Sequence, residues 1–98
     1  MQDNTEKYRE IIMPIIERYA PNVKIILYGS RARKDFKEGS DIDVALDAGR
    51  RLEAGIMANI LADMEESALP ICYDIVDFHE LSAQMRAEIL KDGMIWKK

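Results

Sequence analysis

The sequence predicts an α/β fold, in the wide sense that includes α+β folds, with a small mixed β-sheet covered by helices. Several segments carry apolar residues at helical spacing, and short runs rich in β-branched residues lie between them. No repeat, low-complexity tract or linker interrupts this pattern. The length of 98 residues suits a single hydrophobic core, so residues 1–98 are predicted to form one domain.

The first half of the chain is predicted to contain a long helix and two strands with a short helical segment between them. The helix covers about residues 4–19, where apolar and aromatic residues recur at spacings of three and four. Pro14 lies within this pattern and is expected to kink the helix or divide it in two, because proline removes a backbone donor. Residues 23–28 and 42–46 are predicted as strands, and residues 30–34 as one or two helical turns.

The second half is predicted to contain a helix, a strand, a further helix and a short edge strand. Apolar residues recur at every fourth position within residues 51–67, which is the clearest helical pattern of the chain. Residues 71–78 follow as an extended segment, and helical spacing resumes over residues 80–91. Residues 94–96 are predicted to add an edge strand.

Composition narrows the class of protein. The chain has 14 basic and 18 acidic residues, whereas sequence-independent binding to nucleic acid needs a basic face, so direct nucleic-acid binding is not expected. No apolar run approaches the ~20 residues that span a bilayer, and the N-terminus is polar, so neither a membrane anchor nor a secretory signal is expected. Cys72 is the only cysteine, which favours a cytoplasmic protein, and it is predicted to be a small buried hydrophobe.

Gly29 and Ser30 directly follow the first predicted strand and precede the short helical segment. Glycine lets the backbone turn sharply and lets a ligand approach closely, and the amides at the start of a helix favour an anion. The serine hydroxyl adds a further donor. A phosphate fits this position, although Gly-Ser after a strand is also a common turn.

Asp41 and Asp43 form an Asp-x-Asp motif at the start of the second predicted strand. At positions i and i+2 they project to the same face, roughly 6–7 Å apart at the backbone. Like charges in this arrangement repel unless a cation lies between them, and magnesium binds one or two carboxylates together with substrate phosphates. An exposed acidic strand edge is the alternative, but the alternating Ile42, Val44 and Leu46 indicate a strand that belongs to the core.

A third acidic residue lies in the predicted strand 71–78. Asp74 has apolar neighbours on both sides, and it completes a three-carboxylate cluster if this strand lies beside the Asp-x-Asp strand. Asp77 is the competing candidate, but it falls on the opposite face near the strand end, where a capping or solvated role is commoner. Asp74 is therefore the preferred third carboxylate.

Together these motifs resemble the nucleotidyltransferase superfamily related to DNA polymerase β, whose fingerprint is Gly-Ser, a spacer, Asp-x-Asp and a third acid on a later strand. Residues 28–33 read Tyr-Gly-Ser-Arg-Ala-Arg, and residues 39–44 read Gly-Ser-Asp-Ile-Asp-Val. Both segments are similar to the minimal nucleotidyltransferases of prokaryotes at every motif position, and the resemblance covers essentially the whole chain. A minimal nucleotidyltransferase domain over residues 1–98 is therefore expected.

The resemblance implies a site for a nucleoside triphosphate, such as ATP, and two magnesium ions. The residues that it implies as metal ligands and catalytic residues are Asp41, Asp43 and Asp74. The residues that it implies for binding the nucleotide are Gly29, Ser30, Arg31, Arg33 and Ser40. Gly29 and Ser30 would hold the β- and γ-phosphates, and Asp74 would help to activate the acceptor hydroxyl. For either arginine alone, a solvated surface position is an equal alternative.

The resemblance also implies a reaction and a partner. Minimal nucleotidyltransferases are commonly encoded beside a HEPN-domain protein, and the pair resembles a toxin–antitoxin module in which AMP from ATP is attached to a tyrosine of the toxin. Two alternatives stay open: a non-catalytic antitoxin that blocks its partner by occlusion, and an enzyme that modifies a small molecule such as an aminoglycoside. Asp41 and Asp43 favour catalysis over occlusion, and the missing acceptor domain disfavours the small-molecule enzyme.

Overall fold

The computed structural model describes residues 3–98, which form four strands, four α-helices and one 3₁₀ helix. The strands are β1 (Lys24–Tyr28), β2 (Ile42–Asp47), β3 (Tyr73–Asp77) and β4 (Met94–Lys97). The α-helices are α1 (Thr5–Tyr19), α2 (Gly29–Arg33), α3 (Ala54–Glu65) and α4 (Ala83–Asp92), and the 3₁₀ helix covers Phe78–Glu80. The predicted α/β fold class is confirmed.

The strands form one mixed sheet in the order β3-β2-β1-β4. β1 lies antiparallel to both β2 and β4, whereas β2 and β3 are parallel. Parallel neighbours need a crossover connection, and α3 supplies it between β2 and β3. The mixed sheet and the edge position of β4 agree with the sequence-based predictions.

Alternate residues of the strands pack on opposite faces of the sheet. One face carries the larger core, which α1 and α3 cover, and its buried residues include Ile12, Ile16, Ile25, Leu27, Ile42, Val44, Leu46, Ile60, Met64 and Trp96. The other face carries a smaller cluster, to which α4 and the 3₁₀ helix contribute, made of Ile26, Tyr28, Ala45, Phe78 and Ile89. The second face is the one on which the candidate site lies.

Pro14 does not divide the first helix, because α1 runs unbroken from Thr5 to Tyr19. Pro14 and Glu10, whose carbonyl loses its helical partner, are both exposed, so water can satisfy that carbonyl. Ile12 and Ile16 are fully buried on either side of the proline and hold both halves of α1 on the same core. Packing of both halves on one core therefore keeps α1 continuous through the proline.

Other differences from the predictions are small. The helix predicted over residues 51–67 is shorter, and the helix predicted over residues 80–91 begins after the 3₁₀ helix. Cys72 is exposed, so its prediction as a buried hydrophobe is wrong, because it lies just before the first residue of the edge strand β3, on the same side of the extended chain as the exposed Asp74. Within residues 3–98, no helix has the length and apolar character needed to cross a membrane.

Candidate active site

The Gly29 turn is the point at which β1 passes into α2. Gly29 has a φ of +73°, a left-handed conformation that glycine adopts without a steric penalty. A Cβ atom at this position would overlap Oδ2 of Asp43 and lie 3.3 Å from its Cγ. The backbone conformation and the close approach to Asp43 each require glycine here.

Asp43 and Asp74 lie opposite each other on neighbouring strands. They are register partners in the parallel pair β2–β3, and Tyr28 is the register partner of Asp43 in the antiparallel pair β1–β2. Ala45, two residues after Asp43, packs with Tyr28 in the smaller cluster, so Asp43 shares the face of the sheet that α4 covers. β3, which contains Asp74, therefore lies beside β2, which contains Asp43. The sequence-based choice of Asp74 as the third carboxylate depended on this arrangement.

The carboxylates of Asp41, Asp43 and Asp74 repel one another. Burial raises the pKa of Asp43, the charges of Asp74 and Asp41 raise it further, and Arg33 partly opposes them. Burial also raises the pKa of the Tyr28 hydroxyl, with further contributions from Asp74 and Asp43. Tyr28 therefore stays protonated at neutral pH, and a cation placed near Asp43 would relieve the repulsion between the carboxylates.

A cavity of about 570 Å³ opens between this row of side chains and α4. Its sheet side is lined by Tyr28, Gly29, Asp43 and Asp74, and α2 contributes Arg33. Its α4 side is lined by Met85, Glu88, Ile89, Lys91 and Asp92. The volume lies within the range of ~300–1,000 Å³ that is typical of small-molecule sites.

Arg31 does not line this cavity, because its side chain is 3% exposed and engaged inside the fold. Nε and Nη2 donate to the Ser40 carbonyl at 3.1 and 2.9 Å, and Nη1 donates to Thr5 Oγ1 at 3.0 Å. The guanidinium also lies 4.5 Å from the centroid of the Phe36 ring. In place of the phosphate contact implied for it, Arg31 joins α2 to α1 and to the loop before β2.

Three further residues implied by the motifs, Ser30, Ser40 and Asp41, are not among those that line the cavity. Ser30 is the second residue of α2, next to the Gly29 turn. Ser40 Oγ accepts a hydrogen bond from the Lys37 amide at 3.0 Å, and thereby closes the loop between the two motifs. Asp41 is exposed just before β2, yet near enough to Asp43 to raise its pKa.

Asp77 is buried on the opposite face of the sheet, where it pairs in register with Leu46. Its Oδ1 accepts a hydrogen bond from the His79 amide at 3.0 Å, and its Oδ2 accepts one from the Leu52 amide at 2.7 Å. The capping role considered for Asp77 is confirmed, and the solvated alternative is wrong. Both carboxylate oxygens of Asp77 therefore accept backbone hydrogen bonds on the face of the sheet opposite the cavity.

The donor set at the cavity fits magnesium that is bound jointly with a nucleotide. Asp43 and Asp74 supply carboxylate oxygens, which hard cations prefer, and after burial the charge of Asp74 is the next largest cause of the raised pKa of Asp43. Over the described residues 3–98, no three histidine, cysteine, aspartate or glutamate side chains are grouped closely enough to hold a metal ion by themselves. Magnesium commonly takes one or two protein carboxylates and completes its shell with phosphate oxygens and water.

Sequence reasoning missed the α4 wall of the cavity and the place of Tyr28 in it. The charged residues Glu88, Lys91 and Asp92 look like an ordinary solvated helix surface in the sequence. One signal was available, since Met85, Glu88, Ile89 and Asp92 share a helical face by their spacing of three and four. That face mixes apolar and acidic residues, but nothing in the sequence indicates which part of the sheet it covers.

Comparison with known proteins gives a family match at the level of sequence. The family model for "Polymerase beta, Nucleotidyltransferase" matches residues 10–97. No curated protein is similar enough in sequence to count as a match.

Solved structures share the fold. A chain of a toxin–antitoxin complex with AMP-PNP has a TM-score of 0.74 at 23% identity, over 92% of this chain and 73% of that chain. A chain of the MntA-HpeT toxin–antitoxin complex has a TM-score of 0.71 at 24% identity, over 99% and 75% of the two chains. A chain of the complex of a tri-AMPylated Shewanella oneidensis HEPN toxin with MNT antitoxin has a TM-score of 0.70 at 21% identity, over 95% of this chain and 72% of that chain.

Proposed function

This chain belongs to the polymerase beta nucleotidyltransferase family, and we propose that it is a magnesium-dependent enzyme that transfers AMP from ATP to a hydroxyl group. The observation that carries the proposal is the pair Asp43 and Asp74, side by side at a cavity that also contains the Gly29 turn. Carboxylate ligands for a metal and a glycine turn open to a phosphate are the two parts that a donor site for ATP needs.

In this proposal the carboxylates hold the metal and α2 holds the phosphates. Asp41, Asp43 and Asp74 are the ligands of two magnesium ions, and Asp74 is the one nearest the acceptor. When bound, the ions neutralise charge on the phosphates and promote ionisation of the acceptor hydroxyl. Gly29 and Ser30 receive the β- and γ-phosphates at the start of α2, and Arg33 adds a cation from the same helix.

The proposed transfer exchanges a phosphoanhydride bond for a phosphoester bond. The acceptor oxygen bonds to the α-phosphorus, the bond between the α-phosphorus and the oxygen that bridges to the β-phosphate breaks, and pyrophosphate leaves. The hydroxyl proton passes to Asp74. Because such transfers need mainly positioning and stabilisation of charge, the protein need not supply a nucleophile.

The acceptor in this proposal is a tyrosine of a HEPN-type toxin, and the chain acts as its antitoxin. Support comes from the structural neighbours, one of which is a complex of an MNT antitoxin with a tri-AMPylated HEPN toxin. Another neighbour is a toxin–antitoxin complex with AMP-PNP, an ATP analogue. These proteins share the fold with this chain, and they are the reason for proposing ATP as the donor and a protein as the acceptor.

The test is a labelling reaction with magnesium, ATP labelled at the α-phosphate and the protein encoded beside the gene for this chain. We expect label on a tyrosine of the partner with the wild-type chain and none with Asp41→Asn/Asp43→Asn. Glu66→Gln is the matched control, because Glu66 is an exposed carboxylate at the end of α3, outside the cavity. Mass spectrometry of the partner identifies the labelled residue.

Two outcomes would contradict the proposal. If the wild-type chain transfers no label, and the double variant neutralises the partner as well as the wild type does, the chain acts by occlusion. If the label appears on an added aminoglycoside and not on the partner, the acceptor is a small molecule.

A further inference from the structure

The cavity contains two cationic side chains that come from different helices. Arg33 lies on α2, Lys91 lies on α4, and these two helices pack against each other. The other charged side chains that line the cavity are all acidic: Asp43, Asp74, Glu88 and Asp92. A metal accounts for the acids on the sheet, and Lys91, an exposed residue, is the one cation among the described residues that line the α4 side of the cavity.

The two cations differ in their present partners. Arg33 donates from Nε to Asp35 Oδ2 at 3.1 Å, and both side chains of this pair are about half exposed. Such an ion pair contributes little free energy, so Arg33 can leave Asp35 and bind another anion. Lys91 makes no ion pair with any residue of the described chain, although Glu88 lies one helical turn away on the same helix. Lys91 is therefore available to an anion that enters the cavity.

We infer that Lys91 is a further donor-binding residue, and that Arg33 and Lys91 hold the β- and γ-phosphates between α2 and α4. This inference rests on the proposed function. It specifies the donor class as nucleoside triphosphates, because a triphosphate has both a β- and a γ-phosphate beyond the one that is transferred, whereas a diphosphate has only one. As the bond between the α-phosphorus and the bridging oxygen breaks, the bond's electrons go to the departing pyrophosphate, and the two cations stabilise that charge.

Lys91 also occupies the last turn of α4, where a cation interacts favourably with the C-terminal end of the helix dipole. That interaction contributes to the stability of α4 whether or not a nucleotide is bound. A readout that compares ligands with and without the β- and γ-phosphates therefore separates the two roles.

The experiment compares the full chain with Lys91→Gln and with the charge-conserving variant Lys91→Arg. Lys24→Gln is the control, because Lys24 begins β1 at the end opposite the Gly29 turn and does not line the cavity. With magnesium present, isothermal titration calorimetry gives the Kd for AMP-PNP, pyrophosphate and AMP. Since Lys91→Gln loses a charge-assisted hydrogen bond to the phosphates, it should weaken binding of AMP-PNP and of pyrophosphate by about tenfold or more.

The same experiment distinguishes failure of this inference from failure of the proposed function. The Kd for AMP should be unchanged in Lys91→Gln, and Lys91→Arg and Lys24→Gln should bind all three ligands like the wild type. The role of Lys91 is refuted, and the donor site stands, if the wild type binds AMP-PNP and Lys91→Gln binds it with the same Kd. The same conclusion follows if Lys91→Gln weakens binding of AMP as much as binding of AMP-PNP. If the wild type binds none of the three ligands, both the role of Lys91 and the proposed function are refuted.

Discussion

Arg31 and Arg33 lie two positions apart in the same short helix and have opposite surroundings. The Arg31 guanidinium is buried among Thr5, Phe36 and the Ser40 carbonyl, whereas Arg33 lines the cavity. Residues at i and i+2 of a helix point about 200° apart, so one of the two has to face inward when the other faces the cavity. The sequence could not show which one does, since that depends on how α2 is set against α1.

Substitution of these arginines should separate stability from ligand binding. Arg31→Met leaves Thr5 Oγ1 and the Ser40 carbonyl without their donors, and we expect the free energy of unfolding to fall by about 3 kcal/mol. Arg33→Gln removes only a half-exposed ion pair, so stability should change by less than about 0.5 kcal/mol. Urea denaturation measures the first effect. The Kd for AMP-PNP with magnesium should rise in Arg33→Gln, and an unchanged Kd would contradict the assignment of Arg33.

Gly29→Ala should reduce stability more than the same change at Gly49, although both glycines have positive φ, +73° and +81°. The left-handed conformation alone costs a non-glycine residue about 1–2 kcal/mol, and this is the loss expected for Gly49→Ala, where a Cβ has open space. At Gly29 the added methyl group would also overlap the Asp43 carboxylate. Urea denaturation should show the larger loss for Gly29→Ala, and only that variant should lose binding of ATP with magnesium. Equal loss of stability in Gly29→Ala and Gly49→Ala, with ATP binding kept in both, would contradict the close approach of Asp43 to Gly29.

Among the elements, those with a regular apolar pattern were predicted well, whereas the placement of α4 over the sheet was not predicted. The strand pattern of residues 23–28 and 42–46 and the helical spacing of residues 51–67 depend on local burial, which periodicity records directly. The position of α4 over Asp43 and Asp74 depends on how chain segments far apart in sequence pack, and no local pattern carries that information. Pro14 does not divide α1 for the same reason, since its buried neighbours hold both halves of the helix on one core.

The end of α2 contains a conformational strain that a substitution can relieve. Lys34 adopts a φ of +68° at the C-cap, where its amide donates to the Ser30 carbonyl, and glycine is the residue best suited to that conformation. Lys34→Gly should raise the free energy of unfolding by about 1 kcal/mol, because the exposed ion pair of Lys34 with Asp3 contributes little. Lys34→Ala loses the same ion pair but keeps the positive φ, so it should not be stabilised. Urea denaturation of both variants checks this, and equal stability would show that the strain is absent.

For the whole molecule, the sheet order brings together a site from segments that are distant in the sequence. The order β3-β2-β1-β4 places Asp74 on one side of Asp43 and Gly29 on the other. Residues of α4 line the opposite wall of the cavity. The three motif segments were identifiable from the sequence because each has its own residue types and spacing. That residues 1–98 fold as one cooperative domain stays a prediction of the sequence, and the ligand roles of Asp41, Asp43 and Asp74 stay proposals.

The central claim is that Asp43 belongs to a joint binding site for magnesium and ATP, and a thermal unfolding series tests it most directly. The wild-type chain should gain stability from ATP with magnesium, by about 2.7 kcal/mol at one hundred times Kd, and not from either alone. Asp43→Asn removes a carboxylate whose pKa is raised by burial and by the charges of Asp74 and Asp41. A raised pKa means that the ionised form is disfavoured in the folded state, so the ligand-free variant should be at least as stable as the wild type at neutral pH. It should nevertheless show no shift with ATP and magnesium. A wild type without a shift, or a variant that keeps the full shift, would contradict the account.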